Sequence, residues 1–100
     1  MKDVKITVIR KVEHKDLIEQ YENPLSNACL VEEGEVYISQ NANIPCNFCQ
    51  SAWHDLYPFV FALASGASCI YDNWMKNPHS ALISCNDGFR PVSFLLEVEE

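Results

Sequence analysis

Cys46 and Cys49 form a C-x-x-C pair directly ahead of an amphipathic stretch, and such a pair supports two chemistries. A tight turn puts both thiolates on one side of the chain, where a tetrahedral metal ion can take them as ligands. The start of a helix offers its dipole and its free N–H groups to a thiolate, which would make the same pair redox-active. A four-sulfur site would need Cys29 and Cys85 as isolated ligands arriving from separate loops. The alternative is packing, because free cysteine is among the most buried residue types. Cys69, beside Ile70, fits that pattern best. For Cys29, Cys46, Cys49 and Cys85, packing, a metal site (zinc or iron) and thiol chemistry all stay open, and the cofactor is unknown.

The other chemistry-bearing residues are less organised. His54 lies one turn into the amphipathic stretch, beside Asp55 and away from the Trp53–Leu56 stripe, and reads as a surface histidine. His14 falls near a helix start and His79 in a loop. No Ser-His-Asp or Cys-His-Asn order stands out. Gly34, Gly66 and Gly88 are dispersed, so no phosphate-cradling loop exists. Glu97, Glu99 and Glu100 read as a solvated strand end. Whether the chain is an enzyme is not decided by its residues.

The elements that must position these residues follow from periodicity. Val4, Ile6 and Val8 alternate with Lys5, Thr7 and Ile9, predicting a strand from about Asp3 to Val12. Leu17, Ile18 and Tyr21 among charged residues predict a short helix that Asn23-Pro24 ends. Residues 25–31 show no clear period. Glu35 to Ser39 reads as a second strand after a Glu33-Gly34 turn, and Gln40 to Asn47 as a loop. Ala52, Trp53, Leu56, Phe59, Val60, Leu63 and Ala64 predict a long helix, capped by Asn47 or Ser51 and stopped at Gly66. Pro58 inside it predicts a kink, or a restart with Pro58 in the first turn. Residues 68–79 read as irregular, with Trp74 and Met75 packed down. Ala81 to Cys85 and Arg90 to Glu99 predict a hairpin, and Asn86-Asp87-Gly88 between them supplies residues that tolerate positive φ. Pro91 implies an edge strand or a missing ladder bond. The whole is a small single domain over residues 1–100. Its class is α+β, with a mainly antiparallel sheet of about four strands, one long helix and one short helix.

Composition bounds the function classes. The chain has 100 residues, 48% hydrophobic and 21% charged, with a formal net charge of -7. That suits an ordinary globular core and argues against disorder. Seven scattered Lys and Arg argue against nucleic-acid and anionic-membrane partners. The N-terminus shows no apolar h-region, and the stretch from Trp53 to Ala67 is too short and polar to span a bilayer. A cytoplasmic location with reduced thiols follows as an expectation, and the odd cysteine count agrees. Trp53, Tyr57, Phe59 and Phe61 lie on more than one helix face, so a second apolar face is either core or a homodimer interface.

Three blocks carry a resemblance: Met1-Lys2-x-Val4-Lys5-Ile6-Thr7-Val8; Pro45-x-x-Phe48-Cys49-x-x-Ala52-Trp53-x-Asp55-x-Tyr57; and Cys85-x-Asp87-Gly88-x-Arg90-Pro91-Val92-x-Phe94-x-Leu96-Glu97. Together they resemble a family of small, uncharacterised, cysteine-containing proteins of about this length, mainly from anaerobic bacteria and archaea. The resemblance covers nearly the whole chain and implies a single-domain cytosolic protein with no assigned activity. By position it carries over Cys29, Cys49 and Cys85, with Cys46 standing where another residue is expected and Ser84-Cys85 where members often show two cysteines. It also carries Trp53 and Asp55, and it implies that Asp87 with Arg90 holds the hairpin turn. Three functions follow as expectations. One is a binding module with a thiolate site on Cys29, Cys49 and Cys85, with or without Cys46, holding zinc or iron. The others are a thiol-redox protein using Cys49, and a structural homodimer. A thioredoxin-like fold is not expected, because no βαβ unit precedes the C-x-x-C pair.

Overall fold

Alternation of apolar and polar side chains builds a sheet with one buried face, and the long amphipathic helix closes that face. A computed structural model describes residues 1–26 and 28–99; Asn27 and Glu100, the last of the acidic run, lie outside the described residues. The elements are β1 (Asp3–Lys11), α1 (Lys15–Tyr21), β2 (Val36–Ser39), α2 (Gln50–Ala64), β3 (Ser80–Ser84) and β4 (Val92–Glu99). The strands form a four-stranded antiparallel sheet in the order β2-β1-β4-β3. The class is α+β, as the periodicity predicts.

The core is the inner face of this sheet against α2. Val4, Ile6 and Val8 of β1 and Val92, Phe94 and Leu96 of β4 are buried, together with Leu56, Val60 and Leu63 of α2. Val4 pairs with Val98, Ile6 with Leu96 and Val8 with Phe94, so the register brings the two apolar rows side by side. On the other face, Val36, Thr7, Leu95 and Leu82 form one row across all four strands. Leu82 is 42% exposed there.

Several local expectations need correction. Pro58 lies inside a single helix, not in the first turn of a second one. It sits on the exposed side, two residues from both Leu56 and Val60, so solvent can take the His54 carbonyl that its missing N–H leaves unpaired. The N-cap of α2 is Cys49, with no side-chain cap, so neither Asn47 nor Ser51 fills that role. The helix ends as predicted at Gly66, whose φ of 97° only glycine adopts freely. Gly66 N–H donates to Leu63 O at 3.1 Å and Ala67 N–H to Ala62 O at 2.9 Å, a Schellman closure.

The β3–β4 hairpin forms as predicted, but its turn does not use the tolerance of these residues for positive φ. None of Asn86, Asp87 and Gly88 has a positive φ. Instead Asp87 Oδ1 accepts the N–H groups of Phe89 at 2.8 Å and Arg90 at 3.0 Å, which folds the chain through a side chain. Pro91 precedes β4, which lies between β1 and β3, so the strand is interior and only the ladder bond is lost. Trp74 is 60% exposed and stacks edge-on to Tyr71 at 5.0 Å, where packing into the core was expected. Cys69 is likewise exposed, at φ 57°, with its N–H bonded to Pro78 O at 2.8 Å. An apolar neighbour does not bury a cysteine in a segment made of turns.

Leu56→Ala, at a fully buried position, is expected to cost about 2–5 kcal/mol, while Leu82→Ala on the open sheet face costs under about 1 kcal/mol. Urea unfolding midpoints check this; equal losses would show that α2 is not the principal cover of the sheet.

Candidate functional site

Three segments meet at one end of the molecule. Asn47 to Ala52 brings in the start of α2. Cys85 to Asp87, with Val92 and Phe94, contributes the turn end of the β3–β4 hairpin. Cys29 to Val31, with Glu35 and Tyr37, supplies the entry to β2. Between them lies a cavity of about 570 Å³, within the range of roughly 300–1,000 Å³ usual for small-molecule sites.

Phe48 is its hub. The ring lies edge-on to Tyr37 at 4.9 Å and tilted against Phe94 at 5.6 Å, with Trp53 at 6.1 Å. Asn47 reaches φ 62° immediately before it, a conformation asparagine tolerates better than most residues. That left-handed residue turns the chain between Cys46 and Phe48. Cys49 then lines the cavity, and Cys46 is exposed and lies outside it.

The cysteines of the sequence argument are therefore sorted by the fold. Cys29, Cys49 and Cys85 all line this one cavity. Cys29 and Cys85 are half-buried and Cys49 is exposed. The three thiols share walls without converging: among the described residues, no three His, Cys, Asp or Glu side chains form a group that could hold a metal ion. The five described cysteines are all free.

Each cysteine has its own support. Lys11 Nζ donates to Cys29 O at 3.0 Å, and Lys11 N–H to Glu33 Oε2 at 2.9 Å, so β1 holds the segment that carries Cys29. Cys85 N–H donates to Val92 O at 3.0 Å, and Val92 N–H donates to Cys85 Sγ at 3.3 Å. Arg90, beyond the turn, pairs with Glu22 at 2.9 Å, and that carboxylate raises its guanidinium pKa further. The turn is thereby tied to the end of α1.

The remaining walls are mainly apolar, from Leu30, Val31, Phe48, Ala52, Val92 and Phe94. Glu35 and Asp87 are the charged residues of the lining. Glu35 Oε1 accepts Glu32 N–H at 3.0 Å and the Tyr37 hydroxyl at 3.1 Å. Sequence reasoning missed Glu35 and Tyr37, and it cited Phe48 only as a neighbour of Cys49. The cross-strand pair Ile6–Tyr37, which turns Tyr37 to the helix side, is visible only once the register is known.

Away from the cavity, Trp53, Tyr57 and Phe61 form an aromatic ladder along α2 at 5.7 and 5.9 Å, with Tyr57 and Phe61 each 42% exposed. His54 and His79 are exposed. Asp55, half-buried on α2, has its Oδ2 out of solvent with no hydrogen-bond partner among the described residues. No described helix is long and apolar enough to cross a membrane.

Comparison with family models, with curated proteins and with solved structures finds no match for this chain. The geometry of its own residues is what speaks for the site.

Burial first, then the hydrogen bond to Glu35 and its charge, push the Tyr37 phenol above its ordinary value of 10.0. The neutral hydroxyl is the form the fold favours. Its contribution is complete below the ordinary phenol pKa and is lost as pH rises through the higher folded value. Wild-type stability is expected to fall more steeply above about pH 10 than that of Tyr37→Phe, measured by urea unfolding across that range. Parallel alkaline slopes would show that the hydroxyl contributes nothing.

Proposed function

We propose that this protein is a small-ligand-binding module whose cavity takes a compact, largely apolar ligand in contact with thiols. One observation carries the reading: Cys29, Cys49 and Cys85, far apart in the chain, line a single cavity of ligand size. Its aromatic and aliphatic walls supply the burial that drives binding. Glu35 and Asp87 lie in the lining and no Lys, Arg or His is among the lining residues, which favours a neutral or cationic ligand over an anion.

Nile red, a neutral environment-sensitive dye, tests this. It is expected to bind at one site per chain. Leu30, a lining residue that is 79% exposed, can be changed without touching the core. Leu30→Asp should weaken dye binding at least about tenfold, on the order of 1.4 kcal/mol, while Leu82→Asp on the open sheet face leaves it unchanged. Binding indifferent to Leu30→Asp, or lost with Leu82→Asp, would sink the reading.

A zinc or iron centre on the same thiols is the narrower form of this proposal. The number of soft ligands supports it and their spread opposes it, since three sulfurs would have to move together. Sub-stoichiometric zinc and iron in protein purified without chelator would remove it.

The exposed Tyr57 and Phe61 favour a second reading, pairing of two copies through α2. Light scattering is expected to show a dimer that Phe61→Glu dissociates; a wild-type monomer at high concentration excludes it.

A further inference from the structure

The proposal that follows rests on the cavity reading above and names the ligand class. Sulfurs that share walls but do not meet at a point suit a ligand that uses one of them and fills the rest of the space with its body. The three thiols are not equivalent in this respect. Cys85 is half-buried at the end of β3, and its backbone N–H is held by Val92 O at 3.0 Å. Its Sγ accepts the Val92 N–H at 3.3 Å, and no other cysteine sulfur among the described residues has a hydrogen-bond partner. A backbone donor fixed on a sulfur holds it in place and strengthens as the sulfur gains negative charge. Cys49 is exposed at the start of α2, and Cys29 sits on a segment without regular structure.

The surroundings of Cys85 select the electrophile. Val92 and Phe94 follow on the paired strand and line the same cavity, with the Phe48 ring tilted against Phe94. These surfaces suit an apolar substituent. Asp87 lies two residues beyond Cys85 in the lining, and Glu35 faces the same space, so a reagent carrying a carboxylate meets like charge.

We propose that Cys85 is the attachment point for a soft carbon electrophile, an α,β-unsaturated carbonyl compound bearing an apolar group. The Cys85 sulfur, having given its proton to water, adds to the β-carbon. The new C–S bond forms as the C=C π bond breaks, and the α-carbon takes a proton from water. The net change is addition of S–H across the double bond, with no oxidant or reductant.

Two maleimides with the same reactive ring test this, N-phenylmaleimide and N-(2-carboxyethyl)maleimide, with labelling rates read at each cysteine by peptide mass spectrometry. Cys46, exposed and outside the cavity, is the reference within the same molecule. The Cys85-to-Cys46 rate ratio is expected to be at least about tenfold higher for the phenyl reagent than for the carboxylate one. Pre-labelling with N-phenylmaleimide should block Nile red, and Cys85→Ser should abolish the selective labelling. An equal ratio for the two reagents, or no labelling of Cys85, overturns the proposal. Selectivity found at Cys29 or Cys49 in its place also overturns it, while Nile red binding by the unlabelled wild type would then leave the cavity reading standing. Loss of dye binding in wild type would end both.

Discussion

A single helix has to cover one face of a four-stranded sheet, and it is too narrow to do so. Strands lie about 4.8 Å apart, so the outer axes of four are separated by roughly 14 Å, before their side chains are counted. A helix with its side chains is about 10 Å across. Here α2 packs on β3, β4 and β1. The β2 side of the sheet is left to other material, and the cavity lies at that corner. Its position follows from the strand order: β2 is the edge strand farthest from β3, the strand on which α2 is seated.

The chain fills part of that corner with the loop between β2 and α2, at a conformational cost. Asn41, Ala42 and Asn47 all have φ between 53° and 62°. For asparagine this is a tolerated state, but for alanine it costs on the order of 1 kcal/mol. Ala42 holds it because the surroundings over-determine the loop: it is buried, Ser39 Oγ donates to Asn43 O at 2.7 Å, and Asn43 N–H reaches Gln40 O at 3.0 Å. The loop then delivers Phe48 across to Tyr37 and Phe94. The strain lies beside the site, where it serves to seat one aromatic ring.

Much of this architecture was legible in the residues. β1, α2 and the β3–β4 pair carry their periods openly, because each buries one face against a single large core. The short β2 was readable from its Glu33-Gly34 turn. The failures have physical causes. The composition of Asn86-Asp87-Gly88 marks a turn correctly, but a carboxylate that accepts two N–H groups makes positive φ unnecessary. The C-x-x-C spacing of Cys46 and Cys49 reports proximity along the chain and is silent about direction, which a left-handed Asn47 sets. The grouping of Cys29, Cys49 and Cys85 was suggested by resemblance and not by any local pattern. Which side chains complete the lining depends on strand register, and register is a property of the whole sheet.

The wall that carries Cys29 has a kinetic consequence. Residues 28–35 contain no regular structure beyond the Glu33-Gly34 turn, and they are fastened mainly to β1, through Lys11 and through Gly34 N–H to Val8 O at 2.8 Å. Separating them from β1 breaks a few surface hydrogen bonds and exposes little of the core. The free energy of that opening is therefore a small part of the free energy of unfolding. A ligand's residence time would be set by this local clasp, and could be lengthened or shortened over generations without changing how stably the protein folds.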